Sequence, residues 1–439
     1  MTRRSFGRAA AGATTLLAVV AGACGPQAGN PGSTRGEDVF PLLAEGSGGV
    51  NHERHDNAPY VVLISLDGFG HEYLDRFDVP NLRRIIYGGV RAEAMIPVFP
   101  VKTFSNHYSI ATGMYPTRHG LISNRFYDPE RDEAYVYLDR EKVGDGTWYG
   151  GEPLWVLAEQ RGMVSAAFFW VGSEADIRGV RPTHWRTFDG DVPDADRAKQ
   201  VLAWLAEPVR TRPHILTLYF EDADQVGHNF APESPEMAEA VRSIDWAIGQ
   251  LLDGIATLPH SDQVYVVVVS DHGMAKLGPD QIYYLEDFID LDGLRFGEKG
   301  AVTLIYLDGT DQERTELKDQ LTKALPRAKV YTFDGLPERM HFVGDRRLGD
   351  IIIVPDLGWE VTDRWRGGTP YSWNHGWDPA DEAMHAVFLA MGPGIEAGRT
   401  IPRFENIHVY PWIAGLLGLE PSMPIDGDPA VLRGVVELR

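Results

Sequence analysis

Three stretches of the chain are nearly continuous apolar runs rich in β-branched residues: Tyr60 to Leu66, Ile215 to Phe220 and Val264 to Ser270. Runs of this length without polar alternation predict strands covered on both faces, as in a parallel sheet held between helical layers. Between them the apolar spacing changes to a helical period, over Pro80 to Ile86, Gly151 to Arg161, Asp194 to Leu205 and Pro235 to Leu258. Strand and helix therefore alternate, which predicts an α/β fold with an open, mostly parallel sheet. Each strand run is followed at once by acidic residues: Asp67, the Asp222/Asp224 pair and Asp271. Ligands of open α/β sheets gather beyond the carboxyl ends of the strands, so these positions can converge on one site.

The N-terminus breaks the pattern. Arg3, Arg4 and Arg8 precede an alanine-rich run, Ala9 to Ala23, that is too short to span a bilayer and predicts a signal peptide over 1–24. Within it, Thr2-Arg3-Arg4-Ser5-Phe6 resembles a twin-arginine export signal, and Ala21-Gly22-Ala23-Cys24 resembles a lipoprotein cleavage box. Cys24 is the sole cysteine of the 439 residues, which excludes an intrachain disulfide and gives it a use as the acylated first residue of a mature chain. An ordinary cleaved signal with an incidental cysteine is the alternative. Residues 25–57 are rich in Gly, Pro, Asn, Ser and charge and predict a flexible tether, interrupted by a short apolar stretch from Val39 to Leu43. With no internal repeat and no second linker, 58–439 reads as a single catalytic domain. The expected location is outside the cytoplasm, in the periplasm or anchored to a membrane through Cys24.

Composition is ordinary for a globular protein, 44% hydrophobic and 24% charged. The formal net charge of -22 argues against a nonspecific grip on a nucleic-acid duplex or on anionic lipid, since both need a positive surface. A small phosphorylated substrate stays compatible, because bound divalent cations reverse the local field inside an acidic pocket.

The candidate chemistry is mixed imidazole and carboxylate. Asp271-His272 follows a strand directly and can reach one cation from the turn, or it is a capping aspartate beside a packed histidine. Asp224 and His228 are four residues apart, a spacing that puts both on one side of a helical turn. Asn374-His375-Gly376-Trp377 lies in a Gly- and Trp-rich stretch from which His375 can reach a site. Lys102-Thr103-Phe104-Ser105-Asn106-His107-Tyr108 places Thr103 at a predicted helix N-terminus, where partial positive charge favours an alkoxide and phosphate oxygens. Taken alone, a threonine there is more often a helix cap.

The combination is more specific than its parts. From about Tyr60 to Val435 the sequence resembles the nucleotide pyrophosphatase/phosphodiesterase family of the alkaline phosphatase superfamily. The matching stretches are Leu66-Asp67-Gly68-Phe69, Lys102-Thr103-Phe104, Asn106-His107-Tyr108, Asp224 through His228, Ser270-Asp271-His272-Gly273-Met274 and His375-Gly376. Phe169-Trp170-Val171-Gly172-Ser173-Glu174 and Phe404-Glu405-Asn406-Ile407-His408-Val409-Tyr410 match as well.

The resemblance implies an alkaline-phosphatase-like sheet flanked by helices on both faces. It also implies two divalent ions, expected to be Zn²⁺: one held by Asp67, Thr103, Asp271 and His272, the other by Asp224, His228 and His375. Thr103 is implied as the nucleophile, forming a phosphothreonine-type ester that water then hydrolyses. Asn124 matches the family's donor to a nonbridging phosphoryl oxygen, and a neutral donor suits a diester. Phe104, Phe188 and Tyr219 match positions that hold a nucleotide base. Ser105 stands where many members carry proline, and Trp377 where tyrosine is common. The implied activity is release of nucleoside 5′-monophosphates from nucleotides. The alternative is the same chemistry on a lysophospholipid, a glycerophosphodiester, a phosphonate or a phosphomonoester.

Overall fold

The three apolar runs lie side by side at the centre of one eight-stranded sheet. The computed structural model describes residues 46–364 and 372–436. In chain order the sheet contains β1 (Tyr60–Leu66), β2 (Val90–Ala92), β3 (Ser165–Phe168), β4 (His184–Trp185), β5 (Ile215–Phe220), β6 (Val264–Val269), β7 (Phe388–Met391) and β8 (Arg399–Ile401). Their spatial order is β8-β2-β7-β6-β1-β5-β3-β4. β1 pairs in parallel with both β5 and β6, Val62 lying opposite Leu216 and Val266. β7 is antiparallel to β6 and to β2, while the other pairings in this sheet are parallel.

Every residue of β1 is buried, and its side chains alternate between two cores. Val61 and Leu63 belong to one, Val62, Ile64 and Leu66 to the other. This is the pattern of a strand covered on both faces, and it explains why the run shows no polar alternation. The helices that bear on the site are α1 (Pro80–Gly88), α2 (Thr103–Thr112), α3 (Leu154–Gln160), α4 (Asp194–Leu205), α5 (Asp222–Gly227) and α6 (Pro235–Ala256). α1, α4 and α6 contribute Leu82, Val201 and Ile244 to one core; α2 and α3 contribute Ile110 and Trp155 to the other. α6 opens with Pro235 at its first position and with the Ser234 side chain accepting from the Met237 amide, a strong start signal. The helix expected from Gly151 begins instead at Leu154, because Gly151 has a φ of 79° and Pro153 occupies the N-cap in an extended conformation.

Two features depart from the sequence expectation. The signal segment 1–24 and the tether up to 45 lie outside the described residues, but within 46–57 Asn51 and His55 are buried. The buried Asn51 side chain donates to Val209 O (2.9 Å) and Arg212 O (2.8 Å) and accepts from the Val164 amide (2.7 Å). The packed chain therefore starts upstream of position 58. Hydrogen bonds to neighbouring loops hold this segment, and hydrophobic periodicity carries no record of them. The second departure follows β6, where Leu294–Phe296, Thr303–Leu307, Ala328–Thr332 and Ile351–Pro355 form a separate four-stranded antiparallel sheet. It has its own small core around Ile305, Leu321 and Ile353.

His119, behind the C-terminal end of α2, makes one acid-stability prediction. Its Nδ1 accepts from the Leu121 amide (3.2 Å), so the proton sits on Nε2, which bonds Ser109 Oγ (2.9 Å). Burial pushes this imidazole down to about 3, against backbone hydrogen bonds that act the other way. The unfolded chain takes up this proton near pH 6.5 and the folded one near 3, so stability is full above 6.5 and falls as pH drops through that window. Each such group contributes a slope of at most about 1.4 kcal/mol per pH unit. His119→Gln, which keeps a donor toward Ser109, is expected to flatten the stability profile between pH 6 and 4 by nearly one proton. Denaturant titrations at several pH values measure this slope, and an unchanged slope would overturn the assignment.

Candidate active site

The carboxyl ends of β1, β5 and β6 carry the acidic residues. Asp67 follows β1, Asp224 lies on α5 directly after β5, and Asp271 and His272 follow β6. His375 arrives from the loop after the short strand Trp373–Asn374. Gly68 lets the β1 turn pass close to α5: its φ is 67°, and a Cβ there would lie 2.9 Å from Asp224 Cα.

Two groups of atoms that could hold a cation result, Asp67 with Asp271 and His272, and Asp224 with His228 and His375, the atoms of each group lying within 4.8 Å of one another. The His272 and His375 rings stack at 3.5 Å with planes 14° apart, so the two groups are neighbours. His375 Nε2 lies 3.9 Å from Asp224 Oδ1, and His272 Nε2 lies 2.9 Å from Asp271 Oδ2 and 3.5 Å from Asp67 Oδ1.

The hydrogen bonds around these side chains fit cation ligation. Each histidine gives its Nδ1 proton to a backbone carbonyl: His228 to Trp373 O (3.1 Å), His272 to Gly273 O (3.1 Å) and His375 to Val101 O (2.8 Å). This fixes the tautomer and turns an Nε2 lone pair toward the site. Asp271 Oδ1 accepts from the Gly68 (3.2 Å) and His272 (3.0 Å) amides, and Asp67 Oδ2 accepts from the Tyr219 hydroxyl at 2.5 Å. The remaining oxygens, Asp67 Oδ1, Asp271 Oδ2 and Asp224 Oδ1, are buried without a hydrogen-bond partner. Three orphaned carboxylate oxygens and three presented imidazole nitrogens form a donor set for divalent cations of the zinc type. Burial, with Asp271 and Asp224 alongside, raises the Asp67 carboxyl well above its ordinary range. Burial, then the proximity of His272 and Lys102, holds His375 well below its own.

Thr103 is the first residue of α2, and the N-cap is Lys102. The Thr103 hydroxyl is thus not the cap that the isolated motif allowed. It lies 3.5 Å from His272 Nε2, half-buried, at the positive end of a ten-residue helix. Asn124 Oδ1 accepts from the Phe104 amide (2.9 Å), which leaves the carboxamide nitrogen to donate. The half-buried Phe104 ring packs edge-on to Tyr137 at 5.6 Å. Phe188 is 39% exposed, with its ring 5.1 Å from Phe169 and 6.0 Å from Tyr219. Tyr219, expected at a base, also holds Asp67 through its hydroxyl. Trp377 is fully buried, its Nε1 donating to Trp359 O (2.7 Å).

Two residues given no role in the sequence reading belong here. Lys102 is buried, and its ammonium donates to His375 O (2.9 Å). His107, also buried, reaches Ser65, Thr103 and Asp271. A signal for it existed in the i,i+4 spacing from Thr103, which stacks the two on one helix face.

Residues 61–378 match the family model described as type I phosphodiesterase/nucleotide pyrophosphatase. The chain is similar to human ectonucleotide pyrophosphatase/phosphodiesterase family member 1, with 34% identity over 83% of this chain and 40% of the human protein. It spans about two fifths of that relative's length. An uncharacterized pyrophosphatase/phosphodiesterase of Schizosaccharomyces pombe is 32% identical over 91% of this chain and 84% of its own length. Among solved structures, human ectonucleotide pyrophosphatase/phosphodiesterase 5 aligns with a TM-score of 0.81 at 28% identity, covering 86% of this chain and 100% of that one. Its murine counterpart, solved as an inactive threonine-to-alanine variant in complex with AMP, aligns with a TM-score of 0.81 at 26% identity over the same shares. The sheet is accordingly alkaline-phosphatase-like, as the sequence resemblance implied. By its match over most of its length, the chain belongs to the type I phosphodiesterase/nucleotide pyrophosphatase family.

Proposed function

We propose that this protein hydrolyses phosphodiester and pyrophosphate bonds of nucleotides, releasing nucleoside 5′-monophosphates, with Thr103 as the nucleophile. The observation that carries this reading is the Thr103 hydroxyl set at a helix N-terminus beside two adjoining groups of imidazole and carboxylate donors. Two divalent cations, Zn²⁺ by donor chemistry, would be held by Asp67, Thr103, Asp271 and His272 and by Asp224, His228 and His375, and when bound supply Lewis-acid charge to the reacting oxygens.

The chain's own groups supply the rest. Thr103 Oγ1 loses its proton to solvent and attacks phosphorus in line, forming a phosphothreonine-type ester that still carries the nucleoside as the bond to the leaving oxygen breaks. Water then attacks from the vacated side, frees the monophosphate and restores the hydroxyl. Asn124, oriented by its bond to the Phe104 amide, donates to a nonbridging oxygen. It adds no positive charge, which matches a diester better than a monoester. Phe104 and the exposed ring of Phe188 offer flat surfaces for a base, and stacking tolerates any base. In the same reading the protein is exported by its N-terminal segment and acylated at Cys24; among the described residues no helix is long and apolar enough to cross a membrane.

The test is a substrate panel with Zn²⁺ present: ATP, a diadenosine polyphosphate, a lysophospholipid, and aryl phosphodiester and phosphomonoester probes. AMP is expected from the first two, and the aryl diester is expected to react faster than the monoester. No AMP from either nucleotide would overturn the substrate assignment, and a faster monoester would overturn the diesterase assignment.

A further inference from the structure

His107 lies on α2 with no exposed surface, among Thr103, Ser65 on β1 and Asp271 after β6. Its Nδ1 is 2.9 Å from Thr103 O, and since a carbonyl only accepts, Nδ1 carries the proton. The same nitrogen is 3.4 Å from Asp271 Oδ2. Nε2 is then the acceptor, receiving the Ser65 hydroxyl proton across 2.8 Å, and Ser65 stands on β1 two residues before Asp67. The ring is packed edge-on to Trp170 and Tyr219, both at 5.3 Å, and the Trp170 indole donates to His107 O (3.1 Å).

The carbonyl that His107 holds belongs to the Thr103–Phe104 peptide unit. The N–H of that same rigid plane donates to Asn124 Oδ1 (2.9 Å). A rotation of this plane would therefore move the Thr103 backbone, from which the hydroxyl projects, and the Asn124 carboxamide together. Ser65 anchors the ring to β1 two residues before Asp67, and Asp271 Oδ2 lies beside it without a hydrogen bond, so the plane is referenced to the carboxylate pocket and not only to its own helix.

We propose that His107 is a positioning residue that clamps the Thr103–Phe104 peptide plane and thereby holds the Thr103 hydroxyl and the Asn124 amide in register with the Asp67/Asp271 pocket. This rests on the reading of Thr103 as nucleophile. The clamp acts on the geometry of attack, so its loss falls on kcat more than on KM. A displacement of about one ångström at a reacting atom is enough to cost about 100-fold.

The test compares His107→Phe, His107→Asn and His107→Gln in the metal-loaded protein. Asparagine places an amide nitrogen where Nδ1 stood and glutamine places one near Nε2, so only the former keeps the donor to Thr103 O. The expected result for H107F is a kcat lower by about 100-fold, with KM within about threefold and Zn²⁺ content unchanged by elemental analysis. H107N is expected to recover at least about tenfold of this loss, and H107Q little of it. Amide hydrogen exchange at Phe104 is expected to accelerate in H107F and H107Q and to be restored in H107N. If H107F does not fold, Ser65→Ala is read in its place, with the same kcat-selective loss at about three- to tenfold. Equal activities of the Asn and Gln variants, or a kcat within threefold of the parent in H107F, would overturn the clamp. Turnover that persists in Thr103→Ala would instead remove the nucleophile reading on which it stands.

Discussion

Replacing Thr103 with alanine is expected to lower kcat on nucleotide substrates by about 10³- to 10⁵-fold while the protein keeps its metal ions. The size follows from the route: without the hydroxyl no threonine ester forms, and what is left is the binding and electrostatic assistance of Asn124, the helix N-terminus and the cations. Metal retention follows from the donor count. Asp67, Asp271 and His272 keep their orphaned oxygens and presented nitrogen, and each is held by bonds that do not pass through Thr103: Tyr219 to Asp67, Gly68 to Asp271 and Gly273 to His272. The helix also survives, because its cap is Lys102 and the first-turn bond from the Asn106 amide to Lys102 O (3.0 Å) is untouched. Steady-state kinetics beside elemental analysis reads both quantities. Thr103→Ser should retain measurable turnover through the corresponding serine ester, detectable after rapid acid quench as serine carrying the nucleoside monophosphate. An alanine variant within tenfold of the parent would remove Thr103 from the chemistry.

The second large effect is expected on removing the metals. Dialysis against a strong zinc chelator should reduce turnover to background, and added Zn²⁺ should restore it. The structural reason is the crowding of Asp67, Asp224 and Asp271, whose buried oxygens lack donors and whose charges oppose one another. A bound cation satisfies those oxygens, so it should also stabilise the fold, by roughly 4 kcal/mol per site when free metal exceeds its dissociation constant a thousandfold. Thermal unfolding with and without chelator measures this as a lower midpoint in the stripped protein. Substituting His375 should cost one ion and leave the other, since Asp67, Asp271 and His272 do not depend on it for their hydrogen bonds. Activity that survives complete removal of metal would contradict the proposed chemistry outright.

Much of the fold was legible because its central strands are simple. β1, β5 and β6 are buried on both faces, and such strands write themselves as unbroken apolar runs. α4 was bounded correctly at both ends because its amphipathic period is regular over three turns. The acidic residues that end the strands were visible for the same reason, as abrupt polar stops. What remained hidden was held by other forces. The burial of Asn51 within 46–57 depends on its bonds to loop carbonyls far along the chain, and β2 and β7 are too short to show a period.

The amino-acid sequence by itself determined the alternating α/β architecture and the family resemblance, and it supplied the candidate ligand residues. Each of these is a property of local composition or of motif order along the chain. Only the tertiary structure decided which of those residues meet, which oxygen of each carboxylate is left without a donor, and that the Thr103 hydroxyl is not spent on capping its helix. It also revealed His107, whose partners Ser65 and Asp271 lie 42 residues before and 164 after it in the numbering. Hydrogen-bond geometry at about 3 Å is set by how strands and helices stack, and no one-dimensional pattern carries that information.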